Sequence, residues 1–148
     1  KSAIALRPDF AIAHGNLGNC LFEMGDADGA IRCYKHAIQL EPNFADAYNN
    51  LGNALRESGP ERLEEAIYCY RTALRLKPDH PHAYNNLGIV LLEANDIAEA
   101  KLSFQQALNL KPKFLEAHNN LGNAHFRIGD VAAAIKEYMN AISINQNY

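Results

Sequence analysis

Four asparagines recur at near-equal intervals along this chain: Asn16, Asn50, Asn86 and Asn120. Each immediately precedes a Leu-Gly pair within the pattern A-[YH]-x-N-L-G at 13–18, 47–52, 83–88 and 117–122. A carboxamide carries two N–H donors and a carbonyl acceptor. A row of them can therefore pair with the N–H and C=O groups of another chain's backbone, whatever that chain's side chains are. Asn19, Asn53 and Asn123 run beside this row, with Ile89 in the remaining slot, and Asn49, Asn85 and Asn119 lie at its shoulder. Asparagine is a poor helix former, costing a few tenths of a kcal/mol (roughly 0.5) at each mid-helix position. Two readings follow. One is a ladder of amides facing a groove that takes an extended peptide. The other is a set of structural amides that bond between neighbouring helices or reflect duplication of one unit. At roughly 0.5–1.5 kcal/mol per neutral bond, four rungs offset only part of a flexible peptide's ordering cost, which predicts weak, sequence-tolerant binding.

No other set of side chains suggests chemistry. His118 and His125 lie seven apart on one helical face, in core-facing slots, and His80 and His82 flank Pro81 as surface residues. No serine, cysteine or carboxylate pattern beside them suggests a nucleophile and its base. No catalytic residue, metal site or cofactor is expected. Cys33 and Cys69 occupy equivalent slots and Cys20 lies on another helix. Three cysteines without metal spacing read as buried free thiols in a reducing compartment, hence an intracellular, cytoplasmic or nuclear setting. Net charge is -3 with no basic run, so the electrostatic footprint of a nucleic-acid binder is missing. No apolar run approaches the roughly 18–20 residues of a membrane span. Along the asparagine face, Glu23, Glu57 and Glu93 align with Arg127. Those carboxylates disfavour a partner's terminal carboxylate and favour basic or polar segments, while Phe22, Leu92 and Phe126 flank the groove or pack against the next repeat.

The elements that must position these residues follow from the period. Repetition at roughly 34 residues means stacked copies of one small unit. In the copy starting at Ala45, Tyr48, Leu51, Gly52 and Leu55 share one face of a first helix, and Ala66, Tyr70, Ala73 and Leu74 share one face of a second. Gly25, Gly59, Asn95 and Gly129 are expected to end first helices. Asp26, Asp96 and Asp130 are expected to cap second helices. Pro8, Pro42, Pro78 and Pro112 keep the beat of helix ends, and the residue after each (Asp9, Asn43, Asp79) is expected to cap the next first helix, with Lys113 a weaker exception and Asn147 leading nowhere. Pro60 and Glu61 are extra residues in one turn, with Pro60 at the next helix's first turn. Gly18, Gly52, Gly88 and Gly122 are expected to face Ala30, Ala66, Ala100 and Ala134. Ala37, Ala73, Ala107 and Ala141 let the next repeat approach, and Tyr34, Tyr70, Phe104 and Tyr138 act as large wedges.

An aromatic or His, then Leu-Gly, Ala, an aromatic, Ala and Pro within one such period resembles the tetratricopeptide repeat, across essentially the whole chain. Departures are local: His14 and His118 replace the first aromatic, His125 replaces a leucine, and Gln146 stands in the next proline slot. The resemblance implies an all-α fold, a right-handed solenoid or superhelix of helix pairs, with first helices inside. The organisation expected is one domain over 1–148: residues 1–10 ending a preceding repeat, then repeats at 11–44, 45–80 (with the two-residue insertion), 81–114 and 115–148. Asparagine directly before Leu-Gly is similar to the superhelix of O-linked N-acetylglucosamine transferases. In that family such a ladder grips the substrate protein's backbone. This implies peptide-binding roles for Asn16, Asn50, Asn86 and Asn120, and also Asn19, Asn53 and Asn123. It implies a non-catalytic part of a glycosyltransferase-like protein. A non-catalytic scaffold and a structural array are the alternatives. Repeat arrays need polar ends. Ile135, Met139 and Ile142 lack a covering helix, so end-to-end contacts between copies are expected.

Overall fold

The structure, a computed structural model, describes the backbone of residues 2–145 and the side chains of residues 9–144. The expected roles of Gln146 and Asn147 lie outside the described residues. Every regular element among the described residues is helical: α1 (Ser2–Glu23), α2 (Ala27–Leu40), α3 (Ala45–Ser58), a 3-10 turn (Pro60–Arg62), α4 (Leu63–Leu76), α5 (Pro81–Glu93), α6 (Ile97–Leu110), α7 (Leu115–Arg127) and α8 (Val131–Asn145). The chain forms two compact units, Lys1–Pro78 and Asp79–Tyr148. In the first, α1 packs on α2, α2 on α3 and α3 on α4; in the second, α5 packs on α6, α6 on α7 and α7 on α8. Within each unit the expected fold class, an all-α solenoid of helix pairs, is the one observed.

Large side chains from both helices of a pair make each core, with the aromatic rings coming from second helices. Tyr34, Tyr70 and Leu55 are fully buried in the first unit, and Phe104, Leu91 and Val90 in the second. Burying each contributes roughly 1.5–3 kcal/mol. Ala30, Ala66, Ala100 and Ala134 are buried as expected, but the glycines opposite do not make room for them. A Cβ on Gly52 would sit 2.7 Å from Cε1 of Tyr70, and one on Gly88 2.4 Å from Cε1 of Phe104; Gly18 and Gly122 meet Tyr34 and Tyr138 in the same way. The missing side chain is the seat of the aromatic wedge. Sequence alone separated the two because glycine and ring belong to different helices with a turn between them.

The turns explain which caps form. Gly25 (φ 87°), Asn95 (φ 66°) and Gly129 (φ 84°) hold left-handed conformations at first-helix ends. Asp26, Asp96 and Asp130 then accept from the N–H groups of Gly29, Glu99 and Ala133 at 2.9, 3.4 and 3.2 Å, satisfying donors that a helix start leaves open. The caps expected after the prolines do not form. Pro42-Asn43 and Pro112-Lys113 are turns closed by Phe44 N–H to the Glu41 carbonyl and Phe114 N–H to the Lys111 carbonyl, both 3.1 Å. Phe44 and Phe114 therefore occupy the cap positions and make no side-chain cap bond. Ahead of α5 the cap is His80, whose Nδ1 accepts from Ala83 N–H at 3.3 Å, so His80 is a capping residue and Asp79 is not. Asp9 caps nothing, because α1 runs unbroken through Pro8. An internal proline removes one bond and costs about 3 kcal/mol. Residues of high helix propensity flank it, Ala3, Leu6 and Arg7 before and Ala11 and Ala13 after, and offset part of that cost. The two-residue insertion is absorbed by the 3-10 turn that Pro60 opens, with Arg62 N–H bonded to the Gly59 carbonyl at 3.1 Å.

Candidate functional site

The candidate amides fall on first helices, two to each unit. Asn16 and Asn50 sit on the neighbouring helices α1 and α3, Asn86 and Asn120 on the neighbouring helices α5 and α7. Asn16 is exposed; Asn50, Asn86 and Asn120 are half-buried. In the first unit Asn50 Nδ2 donates to Asn19 Oδ1 at 3.3 Å. In the second, Asn120 Nδ2 donates to Asn85 Oδ1 at 3.1 Å. The difference has a local cause. Asn85 fills the shoulder slot ahead of Asn120, whereas Gly15 stands in the matching slot ahead of Asn50, with the Phe44 ring 3.6 Å from where its Cβ would be. Asn49 and Asn85 are buried. In α3 and α5 the doubled Asn-Asn before Leu-Gly is thus one buried amide followed by a half-buried one, whereas in α7 Asn119 is exposed.

The neighbouring row has another task. Tyr34, Tyr70 and Tyr138 donate their hydroxyls to Asn19, Asn53 and Asn123 Oδ1 at 2.6, 2.5 and 2.6 Å. A buried phenol needs a partner for its O–H, and the asparagine one position after each glycine supplies it. Each of these three carbonyl oxygens therefore accepts a bond within the fold, and Asn19 Oδ1 accepts a second one from Asn50, so both its lone pairs are used while Asn53 and Asn123 keep one each. The signal was present in the sequence. The repeat that has Ile89 in place of asparagine is also the one that has Phe104 in place of tyrosine, so hydroxyl and acceptor vanish together.

Arg127, the cation on the acidic track, donates to the Leu92 carbonyl at 2.9 Å and to Asn95 Oδ1 at 3.0 Å. It closes the C-terminal end of α5, where a positive charge meets the last carbonyls favourably. Glu23, Glu57 and Glu93 are exposed. Phe126 is exposed, while Phe22 and Leu92 are half-buried. His118 is fixed between Glu137 Oε1 (2.8 Å) and the Pro112 carbonyl (2.9 Å), which gives it a structural role. Glu137 stands where other repeats carry Cys33, Cys69 and Ser103, and the repeat that also has a histidine in the first-aromatic slot, His14, carries Cys33 there. His125 is half-buried with Nδ1 unbonded, and His82 lies edge-on to Phe114 at 4.9 Å. No group of three or more metal-binding side chains occurs among the described residues. Nor is any helix there long and apolar enough to cross a membrane.

The thiols divide differently from the sequence expectation: Cys69 is buried, Cys33 half-buried and Cys20 exposed. Cys20 and Cys33 correct the expectation of three buried thiols, because the helix faces they occupy are not fully covered. Burial first, and then the Glu65 carboxylate, pushes the Cys69 thiol from its ordinary 9 up to about 12 against the opposing pull of Lys35. Burial also raises the Tyr34 phenol to about 12. Both groups hold their protons more tightly when folded. Their stabilisation is therefore complete below the unfolded values and is lost as pH rises from about 9 towards 12. An alkylating reagent at mildly alkaline pH is expected to label Cys20 and leave Cys69 intact until denaturant is added. Equal labelling of the two in the folded chain would contradict this, and mass spectrometry of tryptic peptides decides it.

Comparison with known proteins gives the same architecture. A family model described as TPR repeat matches residues 18–59 and 61–95, and one described as Tetratricopeptide repeat matches residues 85–147. No curated protein matches by sequence. Among solved structures, the chain is similar to a crystal structure of MamA, with 24% identity and a TM-score of 0.87 over 95% of this chain and 81% of that one. It is similar to MamA 41-end from Desulfovibrio magneticus RS-1, with 20% identity and a TM-score of 0.84 over 93% and 76%. It is also similar to the first TPR of Spaghetti (RPAP3) bound to the HSP90 peptide SRMEEVD, with 24% identity and a TM-score of 0.79 over 82% and 94%. At these identities the likeness is one of fold.

Proposed function

This chain belongs to the tetratricopeptide repeat family, and from that premise we propose that it is a protein-interaction module whose units hold extended segments of a partner protein through first-helix asparagines. One observation carries the reading. Asn50 and Asn120 each donate one N–H to a neighbouring amide. Each keeps its carbonyl oxygen and a second N–H, the pair of functions that a partner's main chain matches. The internal bond also fixes the amide's orientation, which lowers the ordering cost of binding. Asn16 and Asn86 extend the set to one amide per repeat. Asn19 is left with its Nδ2 donors for a partner, while Asn53 and Asn123 keep their Nδ2 donors and one carbonyl lone pair each.

The partner's chemistry follows from the charges. The solved relative bound to the HSP90 peptide SRMEEVD takes an acidic segment. Here Glu23, Glu57 and Glu93 are exposed along the corresponding helices, and Arg127 is committed to the end of α5. Basic or polar segments suit this surface and acidic ones are repelled. A finer reading makes the partner the protein substrate of an O-GlcNAc transferase-like enzyme, with this chain its non-catalytic part. That reading is supported by the asparagine standing directly before each Leu-Gly. Assembly of a complex without catalysis is the alternative, and co-purification of UDP-GlcNAc-dependent transfer activity with the native protein distinguishes them. The amide reading is tested by replacing Asn50, Asn86 and Asn120 together with alanine and titrating an extended peptide by calorimetry. At about 0.5–1.5 kcal/mol per lost bond, a drop of roughly tenfold or more in affinity is expected. Unchanged affinity with an intact helical spectrum would reject it.

A further inference from the structure

The seat of Arg127 has a counterpart within the first unit that lacks its arginine. In the second unit Arg127 reaches from α7 to the end of α5, donating to the Leu92 carbonyl at 2.9 Å and to Asn95 Oδ1 at 3.0 Å. In the first unit Glu57 holds on α3 the position of Arg127, while Phe22 and Gly25 hold at the end of α1 the positions of Leu92 and Asn95. The two helix ends close alike. The Phe22 carbonyl accepts from Gly25 N–H at 3.0 Å, as the Leu92 carbonyl does from Asn95 N–H at 3.0 Å. A carbonyl oxygen has a second lone pair. On Leu92 Arg127 uses it; Glu57, a carboxylate when ionised, cannot donate to the one on Phe22. Phe22, Gly25, Ala27 and Glu57 instead line an open cleft of about 270 Å³, several times the roughly 30 Å³ share of one water. A helix C-terminus carries about half a negative charge, and α1 has no basic residue in its last turn. Glu57 adds a full negative charge to the same cleft. Arg62, the cation of the neighbouring turn, stands 4.0 Å from the Asp28 carboxylate.

We propose that the cleft at the end of α1 receives an arginine side chain of the partner protein, which takes in the first unit the place that Arg127 fills in the second. The guanidinium supplies what the cleft lacks: N–H donors for the Phe22 carbonyl and a positive charge for Glu57 and the helix end. Its planar fork matches a carboxylate with two parallel bonds and stacks on aromatic faces, which a lysine ammonium does not do. Half-buried Phe22 offers such a ring. Gly25 has no side chain where Asn95 has an amide, which leaves the entrance open. The inference rests on the reading of an interaction module that favours basic segments, and adds to it one partner residue and its seat. It uses none of the ladder asparagines.

Titration of the full chain with N-acetyl-arginine methylamide, followed by amide chemical shifts in nuclear magnetic resonance, tests it. The amides of Gly25, Ala27 and Glu57 are expected to move and saturate, while those of Asn95 and Arg127 stay. The same derivative of citrulline, which has the shape without the charge, is expected to leave all of them in place, and that of lysine to bind more weakly. Glu57 is exposed, so its variants are expected to keep the helical spectrum. Glu57→Gln is expected to weaken arginine binding by roughly threefold to fivefold, the upper end for an exposed ion pair. Glu57→Arg is expected to abolish it and to raise the urea midpoint, because the new side chain fills the cleft as Arg127 fills its own. The response is expected to persist when Asn50, Asn86 and Asn120 are all alanine, so the amide reading can fail without it. Shifts spread equally over Glu23 and Glu93, a citrulline response equal to that of arginine, or a Glu57→Arg chain that still binds would each overturn the proposal.

Discussion

Replacing Gly88 with alanine is expected to destabilise the second unit by about 1–3 kcal/mol, the range for forcing extra volume into a packed core. The added Cβ would lie 2.4, 2.6 and 2.7 Å from Cε1, Cδ1 and Cζ of Phe104. No real Cβ approaches ring carbons that closely, so the ring or the helix must move. The ring is fully buried and has no open space to swing into. Helix propensity pulls the other way, since alanine outranks glycine by about 0.8–1.0 kcal/mol in a helix interior, but that gain is smaller than the overlap. Smaller ring volume relieves the clash, so Phe104→Leu in the same chain is expected to return part of the loss even though Phe104→Leu alone destabilises. Guanidinium denaturation of the four proteins reads the effect. A midpoint for Gly88→Ala at or above wild type would contradict the packing described.

The second large effect concerns the tyrosine–asparagine pairs. Phe104→Tyr places a hydroxyl in the slot where the other repeats hold an amide but this one holds Ile89. A buried O–H without an acceptor costs about 1–3 kcal/mol, and that loss is expected for the single variant. Adding Ile89→Asn rebuilds the pair that Tyr34 and Asn19 form at 2.6 Å, and most of the lost stability is expected to return. The coupling energy from a double-mutant cycle is then favourable and of the order of about 1 kcal/mol or more. If the two changes simply add, the hydroxyl–amide bond does not stabilise the fold, and the structural role given to the matching bonds at Asn19, Asn53 and Asn123 fails with it.

Much of this architecture was legible because repetition made each position visible four times. The period, the left-handed residues at Gly25, Asn95 and Gly129, and the aspartate caps that follow them depend on local backbone chemistry, which sequence reports directly. What eluded sequence was chemistry between helices. Gly52 and Tyr70 meet from the two helices of a pair, and only packing reveals that the glycine accommodates a ring. The caps after the prolines failed because a proline–X turn intervenes, moving the helix start to Phe44 and Phe114. At Pro8 the beat itself misled, since α1 continues through it. Within the candidate site, the placement of Asn16, Asn50, Asn86 and Asn120 at one matching position on each first helix was readable from spacing, while the burial of Asn85 was not. The parallel loss of tyrosine at 104 and asparagine at 89 was open to reading, and a comparison of repeats by pairs of positions would have found it.

The most direct test of the amide account is to remove a hydrogen bond from the partner while keeping every side chain. In a bound extended peptide, single main-chain amides are replaced by esters, which deletes one N–H at a time, and each peptide is titrated against the wild-type chain and against the Asn50→Ala and Asn120→Ala variants. The account predicts at least one ester position that weakens binding to wild type by roughly the worth of one hydrogen bond, about 0.5–1.5 kcal/mol, and causes no further loss when the matching asparagine is already alanine. Ester substitutions that are harmless throughout, or equally costly with and without the asparagines, would contradict it.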